Sequence, residues 1–408
     1  MATTQGEATG SVLDGIDLWS EPVPGAALHE LMDRARLEGP VVPATFAGQP
    51  GFLITRFAEL RQYVSMPEEF PGGEFYRFGI EPVIGPTFIS MEGHEHDVYR
   101  QLATPAFRSR AVQRFVDEDV TPLANEVIDR FVGRGECDLV AELAQVLPFW
   151  AISRKLGLPL GTEEAQREWA LKMLSYPGDP DGALEAAAAV RSFLAPIVEA
   201  RRSEPGDDVI SSMVSAEYHG SRFTDEEISS HVLLLYAVGA TTTSDAMSNL
   251  LRCLLTVPGL LERVREDAPA RARMVHELLR IEPAVPVMPR MAPLEGELAG
   301  VRIPAGSMVL CGVAAANHDP RVFSDPHRFD IDRPEADILT FGFGVKFCPG
   351  SHLARRQLQA VLDAVLDRLP GLRLVEATEP TNAVLRRVER VVAAWDAPSD
   401  SERAPLRT

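Results

Sequence analysis

The sequence predicts a mainly α-helical protein with small β-sheets. Apolar residues recur at helical spacing over long stretches, whereas strand-like runs are short. The 408 residues are 45% hydrophobic and 24% charged, a balance typical of a globular protein with a large core. Because no repeat or low-complexity linker interrupts the chain, we expect one domain over residues 12–397, with flexible tails at 1–11 and 398–408.

Three helices have the clearest patterns. The first is an amphipathic helix over residues 112–132. The second starts at Thr224, where Glu227 completes a capping box, and it stops before Pro258. This helix is so apolar that it should cross the core. The third covers residues 351–369, directly after a glycine-rich stretch.

Strand-like segments are short and occur at 51–55, 301–303 and 308–313. Two long segments, 66–93 and 317–345, have neither a helical nor a strand period. Long irregular segments in a compact domain are usually functional, so we expect them near a site.

Charge and cysteine content exclude several classes of protein. A net charge of −19 disfavours binding to nucleic acid or to an anionic membrane. The longest uncharged apolar run is far shorter than the ~20 residues of a membrane span. The four cysteines form no C-x-x-C pair, which argues against a zinc site or a disulfide framework. We therefore expect a cytoplasmic monomer that binds neither nucleic acid nor membranes.

The segment from Phe341 to Gly350 reads FGFGVKFCPG and carries the strongest chemical signal. Two glycines before Cys348 let the backbone approach a flat ligand, beside which Phe341 offers an aromatic surface. The partial positive charge at the start of the following helix stabilises a thiolate, which donates electron density to haem iron. The alternative is a glycine-rich turn with a buried free cysteine.

This segment resembles the haem-binding signature of the cytochrome P450 family, F-G-x-G-x-(H/R)-x-C-x-G, with Lys346 in place of His or Arg. The resemblance implies the P450 fold, a triangular helical prism with the haem between the long central helix and the cysteine-loop helix. It implies that Cys348 ligates the iron of haem b and that Lys346 contacts a propionate as a point charge. Phe341 and Gly350 complete the cofactor contacts of this loop.

Two more blocks resemble propionate-binding positions of the same family. His96 and Arg100 fall on such positions at the start of a haem-facing helix, and Arg290 matches a third. The alternatives are metal binding by His94 and His96 and, for Arg290, an ordinary arginine at a strand end.

Glu277 and Arg280 resemble the E-x-x-R motif of the family, and Arg333 would complete their cluster. The resemblance implies a structural role, which is to hold the loop that carries Cys348. Taken alone, such a pair is usually a surface salt bridge.

The central helix departs most from the family, whose members read A-G-x-(D/E)-T-T where this chain reads AVGATT. Thr241 falls on the position that assists proton delivery to oxygen, and Ala240 replaces the usual acid. The hydroxyl of Thr241 could instead bond back to the carbonyl four residues earlier.

The resemblance implies a monooxygenase that inserts one atom of O2 into a hydrophobic small molecule, in secondary metabolism or in terpene, steroid or aromatic breakdown. The missing acid leaves two alternatives open: a peroxide-driven, coupling or desaturating haem-thiolate oxidase, and a non-enzymatic haem binder or sensor. The sequence has no dinucleotide-binding fingerprint, so electrons are expected from a ferredoxin and an NAD(P)H-dependent ferredoxin reductase.

Two groups of residues follow from this interpretation. The resemblance places apolar side chains around the substrate, although each could equally be core: Phe75, Phe78, Ala237, Val238, Val287, Met288 and Val384. A second group could steer an acidic ferredoxin or simply be solvated: Arg108, Arg110, Arg114, Arg355 and Arg356.

Overall fold

The structure is a computed structural model that describes residues 11–159, 161, 163–176, 178–334 and 336–397. The predicted tails at 1–11 and 398–408 lie outside the described residues, apart from Ser11.

Helices make up most of the described chain. In chain order they are α1 Ala26–Glu38, α2 Phe57–Val64, α3 Glu74–Gly79, α4 Glu81–Ile84, α5 Gly93–Ala103, α6 Ser109–Phe115, α7 Thr121–Asp129, α8 Leu147–Leu156, α9 Glu163–Leu174, α10 Pro180–Ser203, α11 Val209–Ser215, α12 Asp225–Thr256, α13 Leu260–Glu266, α14 Ala268–Ile281, α15 Val313–Asn317 and α16 Ser351–Arg368. Of these helices, all within the described ranges, none combines the length and the apolar character that crossing a membrane requires.

The strands are short and form small sheets. They are β1 Val41–Phe46, β2 Gln49–Ile54, β3 Glu136–Asp138, β4 Val287–Met291, β5 Gly296–Leu298, β6 Val301–Ile303, β7 Met308–Gly312, β8 Arg373–Ala377 and β9 Val391–Ala394. The largest sheet has the order β1-β2-β7-β4, in which only β2 and β7 pair in parallel. A three-stranded sheet, β3-β9-β8, and a hairpin, β5-β6, complete the set. The prediction of a mainly α-helical protein with small sheets is confirmed.

The predicted central helix is α12, and it begins as the sequence indicates. Thr224 Oγ1 accepts a hydrogen bond from Glu227 N at 3.2 Å, and Glu227 Oε2 accepts one from Thr224 N at 2.8 Å. Most of its residues are buried, because it packs against α8, α10, α14 and α16.

The helix predicted over 112–132 is present, but it is not a regular α-helix throughout and it ends at Asp129. The helix α6 ends at Phe115, a π-helical turn covers 116–120, and α7 begins at Thr121. Pro122 explains why the α-helical hydrogen-bond pattern is interrupted here, because it has no N–H to donate to the carbonyl four residues earlier. The N–H of Thr121 bonds instead to Val116 O, which widens the turn.

The other local predictions differ in their outcome. The strands predicted at 51–55, 301–303 and 308–313 correspond to β2, β6 and β7. The segment 66–93 contains two short helices, α3 and α4, whereas the described part of 317–345 has only a short 3₁₀ turn after the end of α15.

A buried arginine joins the two ends of the described chain. Arg386 is inaccessible to solvent, and its guanidinium donates to Val23 O at 3.0 Å and to Gly25 O at 2.6 Å. Its Nε donates to Glu282 Oε2 at 2.7 Å, so its charge is paired. The segment before α1 is thereby fixed to the loop before β9.

Candidate active site

The loop before α16 is folded tightly around Cys348. Gly342 and Gly344 adopt φ values of 72° and 68°, a left-handed conformation that favours glycine. The N–H of Cys348 donates to Phe341 O at 2.9 Å and closes the loop. The thiol therefore lies at the N-terminus of an 18-residue helix, in the position expected from the sequence.

The surroundings of Cys348 act on its thiol in opposite directions. Burial raises the pKa of the Cys348 thiol overall, and the N–H groups of Gly350 and Ser351 and the charge of Arg100 only partly offset this effect. The other cysteines, Cys137, Cys253 and Cys311, are buried free thiols. Cys348 alone among them combines partial exposure with a helix N-terminus and a nearby cation, which is the setting of a thiolate ligand.

Four basic residues, here called the basic cluster, come together beside this loop. They are His96 and Arg100 from α5, Arg290 from β4, and Lys346 from the loop itself. Burial, together with Lys346 and Arg100, lowers the pKa of His96 to about 4, so its ring is neutral at pH 7. Burial also lowers the pKa of Lys346 to about 8, against the opposing effect of Glu92.

The members of the basic cluster differ in their partners. Arg290 donates to Tyr76 Oη at 2.5 Å and lies over that ring, and Arg100 donates to Phe347 O at 2.5 Å. The Nε2 atom of His96 is buried without a hydrogen-bond partner in the described part of the chain. The ammonium of Lys346 contacts the backbone just before α5.

This arrangement suits a haem. A sulfur donor supported by helix N–H groups is a suitable axial ligand for iron. A partly buried group of three cations beside a buried, unpartnered imidazole suits the two carboxylates of a porphyrin, in a chain whose net charge is −19. The tight glycine turns bring the backbone, rather than side chains, next to such a flat ligand.

The hydroxyl of Thr241, the predicted proton-delivery residue, is hydrogen-bonded within its own helix, α12. Thr241 is buried, and its hydroxyl donates to Ala237 O at 2.8 Å. Its neighbours Thr242 and Thr243 make the same bond to their i−4 carbonyls. In this arrangement Thr241 Oγ1 has lone pairs left to accept a hydrogen bond, but its proton is already engaged.

One turn beyond Thr241, α12 carries a buried carboxyl group. Burial raises the pKa of Asp245 to about 7, and the opposing influence of Arg387 is the smaller effect. One further turn along, Asn249 Nδ2 donates to Arg386 O at 3.1 Å, which fixes this face of α12 to the loop before β9. A buried carboxyl group with a pKa raised in this way is a candidate for a role in proton transfer.

Glu277, Arg280 and Arg333 lie together, as the sequence suggests. Arg280 donates to both carboxylate oxygens of Glu277 at 2.8 Å, and Arg333 Nε donates to Oε1 at 3.2 Å. Glu277 and Arg280 are 2% and 0% exposed, so their charges are compensated mainly by each other. Arg280 also donates to the carbonyls of Asn317 and Pro326, which lie in the irregular segment before the cysteine loop.

A pair of residues that sequence reasoning missed connects this cluster to the cysteine loop. Asn317 Nδ2 donates to Thr340 Oγ1 at 2.9 Å, and Asn317 Oδ1 accepts from Leu339 N at 2.9 Å. Thr340 in turn donates to Leu279 O, in α14. Thr340 directly precedes Phe341, so the start of the loop is tied to the helix that carries Glu277. No motif marks these two residues, because their contacts are all long-range.

The predicted pocket residues lie in different environments. Ala237 and Val287 are buried, whereas Val238, Met288, Phe75 and Val384 are partly buried. Phe75 packs edge-on against Phe46 and Tyr76, and Val287 belongs to a core cluster. Phe78 is 61% exposed, so in this conformation it lies at the surface rather than inside a pocket.

The predicted arginine group occupies two neighbouring elements. The helix α16, which carries Arg355 and Arg356, packs against α6, which carries Arg110 and Arg114. Arg356 and Arg110 are exposed, whereas Arg355 stacks on Phe341 with its guanidinium 4.9 Å from the ring centroid. Arg108 donates to Gln101 Oε1, and Arg114 pairs with Asp207 at 2.6 Å.

Metal binding by the two histidines of α5 finds no support. The ring of His94 lies 6.5 Å from that of His219, and the ring of His96 lies 6.5 Å from that of Phe88, measured between centroids. Within the described ranges, no group of three or more His, Cys, Asp or Glu side chains is arranged to hold a metal ion.

Comparison with known proteins shows the same relationship along most of the chain. A cytochrome P450 family model matches residues 181–372. The cytochrome P450 monooxygenase PikC of Streptomyces venezuelae is 32% identical over 392 residues, covering 92% of this chain and 91% of PikC. The 6-deoxyerythronolide B hydroxylase of Saccharopolyspora erythraea is 30% identical, covering 83% of this chain and 88% of that enzyme.

Solved structures agree with the sequence comparison. The crystal structure of CalO2 matches with a TM-score of 0.84 at 26% identity, covering 91% of this chain and 96% of that one. The long buried α12, the cysteine loop before α16 and the small sheets are thus parts of a shared fold. The chain belongs to the cytochrome P450 family and is one of its monooxygenases, which are oxidoreductases built around a haem with a thiolate ligand.

Proposed function

We propose that the protein inserts one oxygen atom from O2 into a hydrophobic small molecule, with haem b as its cofactor and Cys348 as the axial ligand. The observation that carries the proposal is the position of Cys348 at the N-terminus of α16, next to the partly buried basic cluster. Thiolate-ligated haem supplies the activation of oxygen. The residues of the chain supply binding, orientation and protons.

The proposed cofactor contacts follow from the donors in the site. His96, Arg100 and Arg290 bind the two propionates, and the free Nε2 of His96 gives the most direct support. Phe341 would offer an aromatic surface to the porphyrin, and Gly350 would leave room for it where α16 begins. The thiolate of Cys348 is held in place by the N–H groups of Gly350 and Ser351.

The substrate class follows from the lining of the proposed pocket. Apart from the exposed Phe78, its proposed side chains are buried or partly buried and apolar, and Tyr76 brings a hydroxyl that is already bonded to Arg290. A mainly apolar pocket selects a hydrophobic molecule through burial of its surface. One relative is a hydroxylase of 6-deoxyerythronolide B, which supports a role in secondary metabolism. The free thiols support a location in a reducing cytoplasm.

Turnover with different oxidants tests this function. Reduced ferredoxin with its NAD(P)H-dependent reductase and O2 should give oxygenated product from a substrate found by a spin-state screen. Product formed with hydrogen peroxide but not with O2 and ferredoxin would favour the peroxide-driven alternative. Haem binding without product under either condition would favour the non-enzymatic binder.

The peroxide-driven alternative has one specific observation in its favour. Ala240 stands where an acid is usual, and the hydroxyl of Thr241 donates to Ala237 O.

The nearest buried group on α12 that can release a proton near neutral pH is Asp245. We therefore propose that Thr241 accepts a hydrogen bond from a water molecule, and that Asp245 supplies the proton.

Coupling of NAD(P)H consumption to product tests this proton route. We expect the wild-type protein to release part of its reducing equivalents as hydrogen peroxide, because its relay is incomplete. Restoring the acid with Ala240→Asp should raise the ratio of product to NAD(P)H by ~2-fold or more, with little effect on substrate affinity. Thr241→Ala and Asp245→Asn should each lower it. If Thr241→Ala couples as well as the wild type, Thr241 does not take part.

The electron donor is proposed to bind where α16 and α6 meet. Arg110 and Arg356 are exposed there, so they can attract an acidic ferredoxin despite the net charge of −19. Arg355 is less suited to a test, because it stacks on Phe341 and its replacement would disturb the cysteine loop.

Charge reversal at this surface should slow electron transfer. We expect Arg110→Glu with Arg356→Glu to reduce the rate of haem reduction by ferredoxin about 10-fold at low salt, and less at high salt. Arg373→Glu, on the exposed strand β8, is a control that alters the net charge elsewhere. Equal reduction rates in the double variant and the wild type would contradict the binding of ferredoxin at this surface.

A further inference from the structure

Lys346 makes contacts that the family pattern does not indicate. Its Nζ donates to three backbone carbonyls in the segment just before α5, which are those of Phe88 at 3.4 Å, Ile89 at 3.3 Å and Met91. It also lies 3.5 Å from Glu92 Oε1. An ammonium has only three protons to donate, and these acceptors are enough to engage all of them. The contacts of Nζ thus run to the backbone before α5.

Glu92 extends this contact to the other end of the same segment. Its Oε1 accepts a hydrogen bond from the N–H of Gly73, just before α3. A Cβ atom at Gly73 would lie 2.6 Å from both Glu92 Oε1 and Ser90 O, so the approach requires glycine. The carboxylate of Glu92 therefore joins Gly73 to Lys346 and closes residues 73–92 into a loop.

The loop closed in this way is the proposed pocket roof, defined here as residues 73–92. It contains α3 and α4, with Phe75, Tyr76 and Phe78 on α3. Next to it, a Cβ at Gly72 would touch Lys346 Cγ and Arg290 Nε, each at 3.4 Å. The stem of Lys346 is thus packed against the base of the roof, while its ammonium holds the far end.

We propose that Lys346 and Glu92 form a latch that positions the pocket roof against the cysteine loop, and that Lys346 does this in place of binding a propionate. The inference rests on the proposed function only for the assignment of residues 73–92 to the pocket. The side chains of the pair are 15% and 25% exposed, so the contact is shielded from solvent. His96, Arg100 and Arg290 remain for the cofactor, and the unpartnered His96 can take the place that Lys346 leaves.

Hydrogen–deuterium exchange of the purified holoprotein tests the latch. We expect Glu92→Gln to speed amide exchange within 73–92 by about 3-fold and Lys346→Met by about 10-fold. The double variant should exchange no faster than Lys346→Met, because both changes remove the same contact. Lys346→Arg should restore most of the protection. Glu74→Gln is the matched control, since Glu74 lies on the roof but pairs with Arg77 and not with Lys346.

The rate of haem transfer to apomyoglobin separates the latch from a cofactor contact. The latch predicts a transfer rate within ~2-fold of the wild type for Glu92→Gln and Lys346→Met. Faster transfer from Lys346→Met with unchanged exchange of the roof would overturn the proposal and make Lys346 a propionate ligand. Unchanged exchange in both variants would also overturn it. Failure of the wild type to bind haem through a thiolate would instead count against the proposed function.

Discussion

Cys348→Ser should abolish the long-wavelength absorption band of the reduced, carbon-monoxide-bound protein, and turnover should fall to background. A serine hydroxyl is not ionised at neutral pH and cannot replace the electron-donating thiolate. The loop itself should persist, because Gly342, Gly344 and the bond from the Cys348 N–H to Phe341 O do not depend on sulfur. The absorption spectrum therefore reports the loss of the iron ligand without a loss of the fold.

A second cysteine provides the control for this result. Cys137→Ser changes a buried thiol in β3, away from the loop, and should leave the band intact. The measurement is a carbon-monoxide difference spectrum of each variant, with haem content determined on the same sample. A full band in Cys348→Ser would sink the assignment of the axial ligand.

Glu277→Ala should have the largest effect on stability. Glu277 accepts hydrogen bonds from Arg280, Arg333 and the N–H of Asp330, all in the interior or at its edge. Its removal leaves the charge of Arg280 buried and unpaired, at a cost of about 3–5 kcal/mol. Because Arg280 also holds the carbonyl of Asn317, the start of the cysteine loop should loosen as well. We expect poorly folded protein with little haem.

Urea unfolding and haem content measure this effect. Glu389→Ala is a suitable control, because its pair with Arg387 is exposed and 4.0 Å apart, and such pairs contribute little. Combining Glu277→Ala with Arg280→Leu should recover part of the stability, since the fully buried charge of Arg280 is removed together with its partner. Normal haem content and normal unfolding of Glu277→Ala, with slow turnover alone, would show that the cluster acts in chemistry.

Local signals in the sequence were sufficient for the main features of the fold. The capping box at Thr224 and the apolar run after it placed α12 to within one residue at each end. The glycines and the cysteine of the 341–350 segment located the loop, because turn geometry and helix initiation depend on neighbouring residues. The family and its fold are confirmed, whereas the roles of individual site residues stay predictions.

Contacts between distant segments could not be predicted from such signals. The family resemblance implies a propionate contact for Lys346, which stays a prediction, and nothing near Lys346 in the sequence indicates its contacts with residues 88–92. The hydropathy pattern and the motifs also do not indicate the hydrogen bond from Asn317 to Thr340 or the π-helical turn that begins at Val116. Thr241 was only partly predictable, because the sequence allows either a catalytic hydroxyl or a hydrogen bond to the i−4 carbonyl, and the structure contains that hydrogen bond.

The junction made by Arg386 has a consequence for how the protein is made. Its guanidinium meets Gly25 O, 361 residues away along the chain, and β2 pairs in parallel with β7. During synthesis the hairpin β1-β2 leaves the ribosome long before either partner exists, and its edge stays open to wrong pairing. Contacts this distant also slow folding, because a long loop must close before they form. These contacts are therefore complete only after residue 386 has been translated, and a chaperone that shields the hairpin until then should raise the yield of active protein.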